Sequence, residues 1–386
     1  MADRELCVRV VDPALDLDAP MWGDAAEGWV PPAWDWVGTL AAAGVPYLAG
    51  PDASSDDGKG LLLLPDPDAV DHSPTAGRPL LTGAPPAAPQ DRLRVLAEAL
   101  GALVVPDLRG VLLLRLDDPG AAVKCHLDSW AHGPVSADAW EALWQTVGDG
   151  TVSVFCCTGW VDGSGNVRPS REAVPDEWAV LDDAVARGVA ELECHGHTHM
   201  DPDTAAWAAD PARHEDVRWY RELWPPRSRD EPPQQAQAAR LQQWQELSGA
   251  SGTTLVAPGE CWGTATVQAA RSRGFRLMNS WGVCRLDLPV PTWSRQVGSP
   301  YLDEVDPAWA ASELPTVGYW HDRDMALHGP AWCVDNLAAW REAGMTRLWP
   351  FSRLAAAYAS APVATLGSRG VEVRSATAVP VRVITG

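Results

Sequence analysis

Residues 193–201 read Glu-Cys-His-Gly-His-Thr-His-Met-Asp, placing His195, His197 and His199 within five positions of a chain that holds nine histidines in 386 residues. Imidazole is the commonest protein ligand for transition metals, and crowded neutral rings are otherwise hard to satisfy with hydrogen bonds. The cluster therefore predicts a metal site. If 195–199 opens a helical turn, His195 and His199 share one face and can hold one ion, while His197 points elsewhere. Two further segments carry chemistry. Asp117-Asp118 follow an apolar run and precede Pro119-Gly120. One carboxylate can ligate a metal while the other stands beside its water, although Asp-Pro-Gly is also a good turn former. His321-Asp322 follow another apolar run, with His328 seven residues on. A His that faces such a site can protonate a leaving amine.

The elements that must position these groups alternate between strand and helix. Over 107–360, strands are expected at 111–116, 151–157, 189–194, 253–256, 275–278, 314–320 and 346–349, with helices at 137–146, 175–187, 236–247, 264–273 and 334–343. Polar residues cluster just past the strand ends, as in a parallel α/β barrel or an open doubly wound sheet. Residues 1–106 repeat the alternation on a smaller scale, with strands at 6–11, 45–48, 61–64 and 102–105 and helices at 33–43 and 91–100. They predict a small parallel α/β accessory domain. Residues 361–386 alternate Val with polar residues and read as an appended β extension. The Pro-rich stretch near 225–235 reads as a solvated loop insertion.

In this order the segments resemble the polysaccharide deacetylase superfamily (chitooligosaccharide deacetylase-like, carbohydrate esterase family four) over roughly 107–360. Asp117-Asp118 match its acidic first motif and His195-Gly-His-Thr-His199 its second. Val256-Ala-Pro-Gly259 stands where the third has Arg-x-Pro, Gly274–Trp281 resembles the strand that bears the fourth, and Tyr319-Trp-His-Asp322 resembles the fifth. The resemblance implies a distorted (β/α) barrel preceded by the small α/β domain. It also implies a divalent metal, commonly Zn2+, held by Asp118, His195 and His199. Asp117 would be the general base and His321 the general acid, with His328 competing for the acid role. The donor set equally suits Co2+, Ni2+ or Fe2+. Pro258, Trp262 and Trp281 are candidate substrate contacts. The reaction implied is removal of an N-acyl group, acetyl above all, from an amino sugar or small N-acylated metabolite, with metal-bound water as nucleophile. The chain departs from the pattern at Val256, where the base-orienting Arg is missing; Arg115 and Arg323 are the candidates to replace it.

Two other readings stand beside this one. Gly196-His-Thr-His199 matches the last motif of calcineurin-like phosphoesterases, but the Asp-x-His, Gly-Asp-x-x-Asp and Gly-Asn-His motifs that a two-metal clamp needs are missing. A deacetylase-fold protein that binds without catalysis is the other. The formal net charge of −21 disfavours nucleic acid and anionic membranes as partners. No apolar run reaches the length of a membrane span, the first residues do not read as a secretory signal, and the eight Cys form no Cys-x-x-Cys. A cytoplasmic protein acting on a small molecule or saccharide is expected.

Overall fold

The computed structural model describes residues 4–5, 8–13, 32–50, 60–65, 79–121, 126–128, 130–225, 230–288, 291–360, 363–367, 370–374 and 379–385. Cys7 and the first residues of the strand expected from Leu6 lie outside them, as does the 226–229 part of the insertion.

The N-terminal segment contains β1 (Val8–Val11), α1 (Pro32–Ala43), β2 (Tyr47–Gly50), β3 (Leu61–Leu64), β4 (Leu80–Thr82) and α2 (Pro89–Leu100). The four strands form a parallel sheet in the order β2-β1-β3-β4. Leu103–Pro106, expected as a further strand of this layer, pairs instead antiparallel with Val381–Ile384. The chain's last strand is thus stitched to the end of the first segment. Val363–Gly367 and Gly370–Arg374 form the expected hairpin, and Arg4–Glu5 adds to its edge.

The larger sheet is built from β5 (Val111–Asp117), β6 (Val152–Cys156), β7 (Ala190–Cys194), β8 (Thr254–Val256), β9 (Leu277–Asn279), β10 (Val283–Arg285), β11 (Thr292–Ser294), β12 (Thr316–His321) and β13 (Arg347–Trp349). Its order is β11-β10-β9-β8-β7-β6-β5-β12, with β13 beside the start of β5. The strands from β5 to β9, with β12 and β13, run parallel, whereas β10 and β11 fold back as antiparallel edge strands. This is a mixed α/β fold on a parallel-strand sheet. No ladder joins β11 to β12 among the described residues.

Helices α3 (Ala137–Val147), α4 (Pro175–Ala186), α5 (Gln234–Ser248), α6 (Thr264–Ser272), α7 (Asp322–His328), α8 (Pro330–Glu342) and α9 (Phe351–Ala359) follow the strands. Local sequence explains their limits. The Ser136 side chain accepts from the Ala139 N–H at the start of α3, whose buried residues Trp140, Leu143, Trp144 and Val147 recur every three or four positions. That spacing makes one apolar face. Gly101, at φ 86°, closes α2 in the left-handed conformation that L side chains avoid. Within the insertion, Glu231 is half-buried. The Glu231 carboxylate accepts from the backbone N–H groups of Ala265 and Thr266 and so caps α6.

Every residue of β5 is buried, as expected of a parallel strand covered on both faces. Its alternation separates two cores. Leu112, Leu114 and Leu116 join Trp140, Trp178 and Trp340 beneath the helices. Val111 and Leu113 belong to a second cluster with Phe155, Val256 and Val317, which continues into Val8, Trp36, Leu40 and Leu96 of the N-terminal segment. Tyr47 Oη donates to Thr292 Oγ1 at 2.6 Å and Tyr358 Oη to the Ala42 carbonyl at 2.9 Å, across the expected boundary at residue 106. The described residues of the N-terminal segment therefore pack on the sheet face that carries Arg115 and Asp117 farther along β5.

Candidate metal and acid–base site

Because the central strands run parallel, their carboxyl ends share one rim. Asp117 pairs in register with Phe155 of β6 and with His321 of β12, while Cys194 at the end of β7 pairs with Leu255 of β8. The loops that leave these ends enclose a cavity of about 520 Å³.

Asp117 and Asp118 diverge because the strand stops between them. Asp118 has φ 56°, a left-handed conformation that Asp tolerates better than most residues, and its N–H donates to the Phe155 carbonyl. Asp118 turns toward two imidazoles, with His195 Nε2 3.4 Å from its Oδ1 and His199 Nε2 3.8 Å from its Oδ2. Donor atoms of Asp118, His195 and His199 all lie within 4.8 Å of one another, the one such group among the described residues.

The two histidines do not meet on a helical turn. Residues 195–200 form an irregular loop, with Gly196 at φ 77° and His199 at φ 61°. Glu222 holds this loop. Its buried Oε2 accepts from the backbone N–H groups of His197, Thr198 and His199 at 2.7, 2.9 and 3.1 Å, and Arg240 pairs with its Oε1 at 3.0 Å. A side chain at Gly196 would collide with this carboxylate and with Pro258. Nothing in the local sequence singles out Glu222, which lies more than twenty residues beyond the loop it holds.

His195 Nδ1 lies 3.0 Å from the Val256 carbonyl. Donation there leaves the Nε2 lone pair facing Asp118, the arrangement typical of metal-binding histidines. Burial lowers the pKa of His195, and burial with the nearby Arg221 lowers that of His199 to about 4. Both rings are therefore neutral, as a ligand must be. Burial raises the pKa of Asp118. Two neutral imidazoles and a carboxylate whose charge is under-compensated fit a divalent cation. His197 faces away: it is 4% exposed, with Nδ1 3.0 Å from Thr158 Oγ1.

Asp117 is 1% exposed. Arg115, two residues earlier on the same face of β5, donates from Nε to both carboxylate oxygens at 2.9 Å and from Nη2 to Oδ2 at 2.5 Å. The guanidinium also reaches Asn279 Oδ1 and Glu260 Oε1, each at 3.0 Å. Burial alone would raise the Asp117 pKa, but the charge of Arg115 and its hydrogen bonds hold it below the usual carboxylate range. Of the two arginines expected as replacements for the one missing at Val256, Arg115 is the one that holds the Asp117 carboxylate, whereas Arg323 lies over the Trp130 ring and 3.5 Å from Asp324. Glu260 in the cavity wall, at φ 60°, has its pKa raised by burial despite Arg115.

His321 faces the same cavity, its ring edge-on to Trp130 at 4.8 Å. Its Nδ1 lies 3.6 Å from Asp324 Oδ2, which also accepts from the His321 backbone N–H. Burial would lower its pKa, but Asp324 and the charges of Asp117 and Asp118 raise it. Asp322 ties the rim together by accepting from the Gly120 N–H at 2.7 Å.

Three expected residues lie elsewhere. His328 is exposed at the end of α7 and stacks on Trp332, outside the cavity. It ends up there because 322–328 is a helix, which carries residue 328 away from the rim. Trp262 is buried against Trp293, and Pro258 is buried beneath the Gly196 loop. Trp281, 61% exposed, does line the cavity.

The sequence matches no protein-family profile and no curated protein. Solved structures of carbohydrate esterase family four are similar to it in fold. The chitin deacetylase of Colletotrichum lindemuthianum is 11% identical, with 63% of this chain and 87% of that one covered at a TM-score of 0.33. A wild-type CE4 family pseudoenzyme from Bacillus anthracis is 9% identical, with 64% and 66% covered at 0.34. A 4-alpha-glucanotransferase from Thermococcus litoralis is similar too, at 13% identity, with 63% and 37% covered and a TM-score of 0.40. At that level of likeness the chemistry has to be read from the site itself.

Proposed function

We propose that the protein is a metal-dependent hydrolase that removes an acyl group from nitrogen, acting on an acylated amino sugar or another small N-acylated compound. The observation that carries this reading is one cavity holding three kinds of group on converging strand ends. Asp118, His195 and His199 form a ligand set, Arg115 restrains Asp117, and His321 stands across from them.

Asp118, His195 and His199 would hold the ion. A divalent cation there would supply the positive charge that acidifies water and polarises an acyl carbonyl. The chain's own residues do the rest. Asp117, kept ionised by Arg115, accepts the proton of the attacking water at a carboxylate oxygen. Arg115, itself anchored on Asn279 Oδ1, prevents that carboxylate from swinging away. His321, kept protonated by Asp324, gives its proton to the departing nitrogen. Trp130 packs against the His321 ring and limits its rotation.

Acetate release should be measured from N-acetylated sugars and N-acetylated amino acids with the zinc-loaded protein. Asp117→Asn should keep its metal and lose turnover. Normal turnover in that variant would remove Asp117 from the mechanism. Absence of release from every acylated substrate would favour a protein that binds without catalysis. A metallophosphoesterase is disfavoured because His197, the centre of the Gly-His-Thr-His string, bonds to Thr158 and is not among the clustered donors.

A further inference from the structure

The cavity holds a cation that these steps leave unused. Arg221 lines it beside His199 and lies across Gly259, where even a Cβ would come within 2.0 Å of its Nη1. Gly259 therefore provides the groove in which the guanidinium rests. Arg221 Nη1 donates to the Tyr220 carbonyl at 2.9 Å. Among the described residues no carboxylate forms an ion pair with it. Arg115, the other Arg of the cavity, is fully engaged by Asp117, Glu260 and Asn279. Glu222, next in sequence to Arg221, is turned into the metal-binding loop and is occupied there.

Much of the cavity lining is apolar. Leu127, Trp130, Val161 and Tyr220 line the interior. At the rim stand Trp281 and Val217, which are 61% and 55% exposed. Large apolar side chains held in water around a cavity mouth mark a surface that a ligand covers. A polyhydroxylated chain would leave many of its hydroxyls against these walls without partners. A compact ligand with an apolar or aromatic body would not, and a planar anion on that body matches a guanidinium with free donors.

We propose that Arg221 reads a carboxylate on the substrate, so that the site takes small N-acyl compounds with an aromatic or apolar body and a free carboxylate, the chemistry of an N-acylated aromatic amino acid. This deepens the hydrolase reading by naming its substrate class. Arg221 is a specificity residue here and takes no proton.

Binding of 3-phenylpropanoate and of its uncharged counterpart 3-phenylpropanamide to the zinc-loaded full-length protein, followed by titration calorimetry, tests the proposal without requiring turnover. Wild type should bind the carboxylate about tenfold or more tightly than the amide, as expected of a charge-assisted hydrogen bond. Arg221→Gln should remove that preference and Arg221→Lys should keep part of it, with circular dichroism showing both variants folded. An unchanged preference in Arg221→Gln would assign the carboxylate to the metal and overturn the proposal. So would equal affinity for the two compounds in wild type, or no saturable binding of either. If N-acyl aromatic amino acids are hydrolysed, Arg221→Gln should raise KM and leave kcat close to wild type. An equal fall of kcat on carboxylate and carboxamide substrates would place Arg221 at the transition state instead. Failure of hydrolysis with the binding preference intact would count against the hydrolase reading alone.

Discussion

Arg115 and Asp117 stand two residues apart on one strand, and the guanidinium of the first grips the carboxylate of the second at 2.5–2.9 Å, with both side chains almost wholly buried. Period-two alternation puts them on the same face of β5. The proposed base and the guanidinium that holds it therefore come from one strand.

Replacing Arg115 should be costly in two ways. Arg115→Met leaves the buried Asp117 and the partly exposed Glu260 without their cation, and loss of one partner of a buried pair destabilises by about 3–5 kcal/mol. Urea denaturation at neutral pH measures this. The Asp117 pKa is lowered in the folded protein. Its contribution is therefore present above the ordinary carboxylate pKa and is lost as pH falls through the depressed folded value. In Arg115→Met the stability gap to wild type should accordingly narrow in acid. A constant gap from neutral pH to strong acid would mean that the pair contributes packing alone.

Metal content separates the three histidines. Purified protein should carry about one divalent ion per chain, the count expected of one tetrahedral site. His195→Ala and His199→Ala should lose it and His197→Ala should keep it, because His197 bonds to Thr158 outside the donor cluster. Plasma mass spectrometry on the dialysed variants checks this. Retention of metal by the two ligand variants would remove the ligand assignment.

Glu222 should matter to metal binding without touching the metal. Its carboxylate accepts three successive N–H groups of the loop that carries His199. Groups that orient ligands in this way typically account for 10–100-fold in metal affinity. Glu222→Ala should weaken zinc binding by about that range in a chelator competition assay. Glu222→Gln, which keeps an acceptor oxygen, should lose less.

Activity should depend on pH through two groups shifted in opposite directions. Asp117 must be ionised and its pKa is lowered, so the acid limb should lie below the usual carboxylate range. His321 must be protonated and its pKa is raised, so turnover should fall only as pH rises past the ordinary histidine value. Asp324→Asn removes a partner that raises the His321 pKa and should move the alkaline limb to lower pH. A limb that stays in place in kcat profiles would assign it to another group.

Much of the larger sheet was legible as sequence. Several of its parallel strands are nearly continuous apolar runs, β5 above all, and the polar residues that follow them line the cavity. The ligand candidates were legible because three imidazoles in five residues is a local signal. Other features were not legible. The antiparallel strands β10 and β11 are three residues each, too short to show a period. The pairing of Leu103–Pro106 with Val381–Ile384 joins residues almost three hundred positions apart, which no local pattern encodes. Helix α7 follows His321 directly and spans only seven residues, too few to show a clear period, so in the sequence His328 stands as a rival to His321.

By itself the sequence determined which chemistry was available: a carboxylate pair at one strand end, a histidine cluster at another and a His-Asp pair at a third. Side-chain type and local periodicity are properties of short segments, and they survive without a fold. Only the tertiary structure decided which of these groups meet. A left-handed Asp118 and a loop held by Glu222 bring His195 and His199 to Asp118 and turn His197 away. Arg115 supplies the cation that Val256 cannot, and Arg221 lies open in the cavity because Gly259 leaves it room. Each of these outcomes depends on distances between residues far apart in the chain, or on backbone angles set by packing, and short-range pattern carries neither.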